Sequence, residues 1–139
     1  MRTRTGLALL LSVLGLAACS NAHRIDRESA TGAVETLLET CAADRPQTSI
    51  EVLDLPARQA FARARSPLDG CLEVLGLHPA GDQAAVRRAL GRSHVVSVDA
   101  NAIGATAVIG APDGSRSRVQ VENERGDWRV AHAARPSAL

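Results

Sequence analysis

A change in the spacing of apolar residues near Arg92 constrains the fold more than any other feature of the sequence. Before this point apolar residues recur at intervals of three and four, which is typical of amphipathic helices. After it they alternate with polar residues in short runs rich in Val, Ile and Thr, which is typical of strands. Helices that precede a set of strands indicate an α+β fold, and 139 residues fit one domain.

Four helices are predicted before this change. The first lies within residues 26–44, where Asp26 or Ser29 caps its start and Arg45-Pro46 ends it. The others are predicted at residues 56–65, 68–75 and 82–90, and Asp54-Leu55-Pro56 and Ser66-Pro67 are the start signals of the first two of these. Residues 49–55 fit either a helical turn or an extended segment.

Four strands are predicted after the change, at residues 93–100, 102–110, 117–122 and 127–133. Asn101, the turn "APDGS" and the segment "NERGD" separate them. Connections this short join antiparallel neighbours, so the sequence predicts a four-strand meander. Alternation in the last two strands implies that one face of this sheet is buried, with the helices packed on it.

The first 19 residues have the pattern of an export signal. Arg2 and Arg4 precede an apolar run from Gly6 to Ala18, which is shorter than the roughly 20 residues of a membrane-spanning helix. The sequence "LAAC", ending at Cys19, resembles the bacterial lipobox, in which the Cys thiol receives a lipid and the chain is cut just before it. The alternative is an ordinary signal peptide followed by an incidental thiol.

The lipobox resemblance implies a division of the chain and a location. It implies a lipoprotein signal peptide over residues 1–18, a tether over residues 19–25 that begins with the lipidated Cys19, a folded domain over residues 26–134 and a loose tail over residues 135–139. The mature protein is then expected outside the cytoplasm. Palmitate-type acyl chains on Cys19 would anchor it to the cell membrane, or to the outer membrane of a Gram-negative host.

Cys41 and Cys71 are the remaining cysteines, and both fall on the apolar faces of predicted helices. An even number of thiols outside the cytoplasm favours a disulfide bond between them. This bond would close a loop of about 30 residues and contribute about 3–4 kcal/mol in the chain-entropy model. A redox pair is disfavoured because the C-x-x-C arrangement is absent. Two separate buried thiols are the alternative.

The predicted helices are followed by a four-strand meander that ends in "GDWRV", Gly126 to Val130. This arrangement resembles the nuclear transport factor 2-like superfamily. More narrowly, the chain resembles small actinobacterial lipoproteins of that type, over about Asp26 to Ala133. The resemblance implies a curved sheet that wraps onto the helices as a cone with an internal pocket. Enzymes of the superfamily use an Asp or a His–Asp pair in the cone, and isomerases also use a Tyr, which this chain lacks.

Three side chains are candidates for lining such a pocket, namely Phe61, Trp128 and His132. His132 has the same strand parity as Trp128, so an inward-facing last strand would place it in the cone, where Asp99 could make it a general base. The alternatives are a His satisfied by a backbone carbonyl and a Trp that closes the end of the sheet. No metal-ligand spacing is present, and no cofactor is expected.

The basic residues exclude nucleic acid as an expected partner. All 16 are Arg, they are scattered among 15 acidic residues, and the chain has one Trp, one Phe and no Tyr for base stacking. The expected function is therefore a non-enzymatic, membrane-anchored lipoprotein that binds a small apolar ligand or a cell-envelope protein. The alternatives are an isomerase- or cyclase-like enzyme that uses a pocket His and Asp, and a structural accessory module of an envelope complex.

Overall fold

The computed structural model describes residues 25–133, and the predicted α+β class is confirmed. Five helices precede four strands, as follows: α1 (Ala30–Ala42), α2 (Pro46–Glu51), α3 (Leu55–Arg63), α4 (Pro67–Leu75), α5 (Gln83–Gly91), β1 (His94–Ala100), β2 (Gly104–Gly110), β3 (Arg116–Glu124) and β4 (Asp127–Ala133). The predicted signal peptide, Cys19, all but Ile25 of the tether and the tail lie outside the described residues.

Side-chain caps fix the starts of four helices. Ser29, of the two predicted candidates, accepts a hydrogen bond from the Gly32 N–H and begins α1. Three further caps bond to the N–H three residues on: Asp54 before α3, Ser66 before α4 and Asp82 before α5. Each cap satisfies a backbone donor that has no partner inside its helix.

Helix α2 was not predicted, and the prediction that Arg45-Pro46 only ends the first helix is incomplete. Pro46 occupies the first position of α2, where a proline ring costs no hydrogen bond. The ambiguous residues 49–55 divide between a helix and an extended segment. Residues up to Glu51 belong to α2, and Leu53 forms a parallel bridge with Val130 of β4.

The four strands form an antiparallel meander in the order β1-β2-β3-β4. We call the face covered by the helices the inner face and the opposite one the outer face. Beyond β4, the Asp54 N–H donates to Val130 O and the Val130 N–H donates to Val52 O, so a short segment covers that edge. At the other edge, a Glu35 carboxylate oxygen accepts from the Val95 N–H at 2.9 Å.

The core lies between the helices and the inner face. Its centre is formed by fully buried side chains of α1, α4, α5, β2, β3, β4 and the segment between α2 and α3: Val34, Leu37, Leu38, Val52, Leu53, Val74, Leu75, Leu90, Ile109, Val119, Val121 and Val130. Burial of this many large aliphatic side chains is the main stabilising contribution to the domain.

The sulfur atoms of Cys41 and Cys71 lie 2.12 Å apart, the distance of a disulfide bond, which is consistent with the predicted pairing. Both residues are 3% exposed, so the pair joins the end of α1 to the middle of α4 inside the core. Within residues 25–133, none of the helices combines the length and the apolar character needed to cross a bilayer.

Candidate functional site

His132 lies on the outer face, and the expectation that it shares the inward face of Val130 is wrong. In the pairing of β3 with β4, Val121 faces Val130 but Gln120 faces His132, so Ala131 is an extra residue. Val130 and Ala131 are both buried and His132 is exposed. A β-bulge of this kind shifts the alternation of side chains by one residue, and strand parity cannot show it.

His132 and Asp99 belong to opposite edges of the sheet. Asp99 faces Thr106, Thr106 faces Gln120, and Gln120 faces His132, so the four residues form one row across all four strands. Three strand spacings separate the two, or roughly 14 Å. General-base catalysis needs its partners within hydrogen-bond reach, so the predicted His–Asp pair is absent.

The other two predicted pocket residues contribute to packing. Phe61 is buried where α3 crosses α4, and a Cβ added at Gly70 would lie 2.8 Å from its ring atom Cδ2. Trp128 is half-buried at the start of β4, and its backbone N–H donates to Arg27 O at 2.9 Å. Phe61, Trp128 and His132 line neither of the two cavities described next.

A groove of about 580 Å³ runs between α1, α5 and Ser93, the residue before β1. Its floor is apolar and comes from Leu38, Ala42 and Leu90, while Glu35 and Glu39 place carboxylates along its side. Glu35, Glu39 and Ala42 face the groove together because residues three and four apart share one side of a helix. The groove is open to solvent along its length. It therefore has an acidic side and an aliphatic floor.

A smaller cavity of about 200 Å³ lies between the β2–β3 turn and the loop that joins α4 to α5. Leu77 and Ala111 form apolar walls, and His78 and Asp113 are at its rim. The side-chain and backbone hydrogen bonds from Ser115 lower the pKa of Asp113. This carboxylate accepts from Ser115 Oγ at 2.6 Å and from the Ser115 N–H at 2.8 Å, so it is already engaged within its own turn.

Charged side chains gather where β3 and β4 meet the segment before α3. Burial raises the pKa of Glu122, and so do the charge of Asp54 and a hydrogen bond with its carboxyl group. Arg129 contacts Asp127 at 2.9 Å, and Asp127 contacts Arg27 at 3.1 Å. These contacts tie the chain before α1 to the β3–β4 hairpin. The cluster therefore has a structural role.

Catalytic and metal-binding sequence patterns do not indicate the groove. The available signal was Glu35 and Glu39 one helical turn apart on the side of the first helix that also carries Leu38. Among residues 25–133, no group of three or more His, Cys, Asp or Glu side chains is arranged to hold a metal ion. No protein-family model, curated protein or solved structure matches the chain.

Proposed function

We propose that this protein is a bacterial lipoprotein, anchored outside the cytoplasm through Cys19, whose nuclear transport factor 2-like domain binds a protein of the cell envelope without catalysing a reaction. The leader and the "LAAC" sequence support the anchor. Helices packed on one face of an antiparallel meander that ends in Trp128-Arg129-Val130 support the domain type.

Packing of the interior favours a protein partner over a small apolar ligand. A ligand held inside a cone needs space between the sheet and the helices. The inward-facing aliphatic residues of β2, β3 and β4 instead fill that space, and each is at most 5% exposed: Ala105, Ala107, Ile109, Val119, Val121 and Val130. An open groove along the surface is the shape that receives a segment of another protein.

The groove between α1 and α5 is the single observation that carries the proposal. Its side carries the negative charges of Glu35, which accepts from the Val95 N–H, and of Glu39, and these charges favour Arg or Lys nearby. Its floor of Leu38, Ala42 and Leu90 is complementary to small aliphatic side chains. The partner is therefore expected to present a basic, amphipathic segment. Complementary charge would speed its association and fix its orientation.

A photo-activated cross-linker at Ala43 tests the groove in intact membranes, because Ala43 is exposed and lines it. We expect a defined protein adduct that the charge reversal Glu39→Arg reduces at least several-fold. Glu73→Arg is the matched control, because it reverses an exposed carboxylate on α4, outside the groove. Absence of an adduct, or equal adducts from both reversals, would contradict the proposed binding site.

Mass spectrometry of protein extracted from membranes tests the anchor separately. We expect a mature chain that begins at Cys19 and carries the mass of its acyl groups. Cys19→Ala should leave an uncleaved or released protein without that mass. Continued anchorage of the Cys19→Ala variant would refute the lipoprotein assignment and leave the groove untouched.

A structural accessory module is the second candidate function, and the filled interior together with exposed Val96, Val98 and Ile103 favours it. A contact made through these side chains of β1 and the β1–β2 turn would not depend on groove charge. Equal cross-linking in the Glu39→Arg and Glu73→Arg variants, combined with loss of the adduct in Val98→Ser, would favour this candidate.

A further inference from the structure

The chain before α1 and the tip of the β1–β2 hairpin lie at the same end of the domain. The Asn123 N–H donates to Ile103 O at 3.2 Å, Asn123 faces Trp128 in the sheet, and the Trp128 N–H donates to Arg27 O at 2.9 Å. A continuous row therefore connects the hairpin tip to the point where the chain enters the fold. We call this the tether end.

Covalent geometry limits how far the tether end can lie from an anchor at Cys19. Ile25, the first residue that the structure describes, packs against the core. Six residue steps separate it from Cys19. An extended chain spans about 3.5 Å per residue, so Ile25 lies within about 21 Å of Cys19. Such tethering keeps the tether end at high effective concentration beside the membrane.

The hairpin tip presents an apolar side chain on a fixed turn. Ile103 is 80% exposed, a larger fraction than that of any other large apolar side chain within residues 25–133. Asn101 Oδ1 accepts from the N–H groups of Ile103 and Gly104 at 3.0 and 3.1 Å, which holds the turn in place. No charged residue occurs from Ala100 to Pro112, so the tip meets a bilayer without desolvating a charge.

We infer that the β1–β2 hairpin tip, led by Ile103, rests in the interface of the anchoring lipid bilayer and orients the domain with its β2–β3 turn away from the membrane. This inference depends on the proposed lipid anchor. It also places the Ala42 and Gly91 end of the groove away from the membrane. The reason is that α1 begins beside the tether end, whereas β1, which follows α5, begins at the opposite end of the domain.

The net charge of the tether end indicates which lipid headgroups it should contact most closely. Among residues 25–133, acidic groups outnumber basic ones there: Asp26, Glu28, Glu122, Glu124 and Asp127 against Arg27, Arg125 and Arg129. Asp127 is paired with both Arg27 and Arg129. The remaining negative charge repels an anionic surface, so contact should be closer on zwitterionic than on anionic vesicles.

A tryptophan reporter at each end of the sheet tests the orientation in the full-length, lipidated protein. Trp128 is the only Trp, so Trp128→Phe removes the native signal. Ile103→Trp in this background reports on the tip, and Pro112→Trp reports on the β2–β3 turn. On phosphatidylcholine vesicles that contain brominated acyl chains, we expect quenching at position 103 at least twofold greater than at position 112. Replacing a third of the lipid by phosphatidylglycerol should reduce the difference.

A second measurement keeps the native Trp128 and does not require it to be replaced. Ile103→Ser should lower the quenching of Trp128 by the brominated lipid. Leu55→Ser should leave it unchanged, because Leu55 is equally apolar and 67% exposed but belongs to the first turn of α3. Thermal unfolding of both variants checks that the fold is intact.

The outcomes separate the inference from the anchor on which it rests. Equal quenching at positions 103 and 112, in protein whose lipid mass is present, overturns the inference and leaves the anchor standing. Equal effects of Ile103→Ser and Leu55→Ser on Trp128 quenching also overturn it. Protein recovered from membranes without a lipid mass overturns the anchor, and the inference with it.

Discussion

Asp54 caps α3 and contacts β4, and its carboxyl group changes the pKa of its neighbour Glu122. Asp54 is 4% exposed, caps α3 through the Ala57 N–H, and donates its own N–H to Val130 O in β4. Its position is therefore fixed by backbone contacts on both sides. Partial burial raises the pKa of Glu122, and the nearby Asp54 carboxyl group raises it further because Asp54 is held in place.

Glu122→Gln is expected to stabilise the protein at neutral pH. Because the folded pKa of Glu122 is raised above its ordinary value of 4.5, its contribution to stability falls as pH rises through that value and the folded pKa. The amide removes this loss, which we expect to be about 0.5 kcal/mol at so exposed a site. Thermal unfolding at pH 4 and pH 7 should show a gain that grows with pH.

Glu73→Gln is the control, since Glu73 is an exposed carboxylate on α4. It should change unfolding little at either pH. A Glu122→Gln gain that is the same at pH 4 and pH 7 would contradict the electrostatic explanation.

At the scale of elements, α3 and α4 approach each other closely because Gly70 has no side chain. A Cβ at this position would lie 2.8 Å from Cδ2 and 3.2 Å from the backbone oxygen of Phe61. The ring is buried and the backbone oxygen belongs to α3, so neither can give way freely. Contact between the two helices therefore depends on a glycine.

Gly70→Ala is expected to lower the free energy of unfolding by about 1–3 kcal/mol, the usual range for an overpacked contact. Gly91→Ala is the matched control in α5, where the added Cβ would lie 3.5 Å from Ala42 Cβ, an ordinary contact distance. It should be neutral or stabilise by up to about 1 kcal/mol, since Ala is the better helix former. Urea unfolding of both variants measures the difference, and equal effects would contradict the role of Gly70.

Element types were predictable where a long periodic segment carried the signal. The capped starts at Asp54 and Ser66 and the four strands follow from local chemistry that tertiary packing does not override. Helix α2 was missed because Pro46 both ends one helix and begins the next. The register of β4 was missed because a bulge at Ala131 depends on the partner strand, which local alternation does not report.

The groove could be predicted from the sequence only in part. Its acidic side could be read from Glu35 and Glu39, which belong to one helix. Its floor includes Leu90 of α5, and only the packing of α1 against α5 brings that residue beside them. A surface assembled from distant segments leaves no pattern at a fixed spacing in the chain.

At the scale of the whole molecule, the Cys41–Cys71 pair joins α1 to α4, the helix that packs on α3. Reduction is expected to lower the free energy of unfolding by about 3–4 kcal/mol in the chain-entropy model, which lowers the Tm of a domain this size by about 10 °C or more. The Cys41→Ser, Cys71→Ser double variant should unfold at the lower Tm with or without reductant. A wild-type Tm that does not respond to reductant would contradict the bond.

The two edge strands of the sheet, β1 and β4, differ in how far other parts of the chain cover their backbone. The segment from Val52 to Asp54 occupies the border at β4, whereas β1 is shielded at Val95 by a single carboxylate. Exposed backbone on a border strand invites pairing with another molecule, and growth into a fibre requires two such borders. Two molecules can therefore join β1 to β1 and then stop, so accidental association through the sheet ends at pairs.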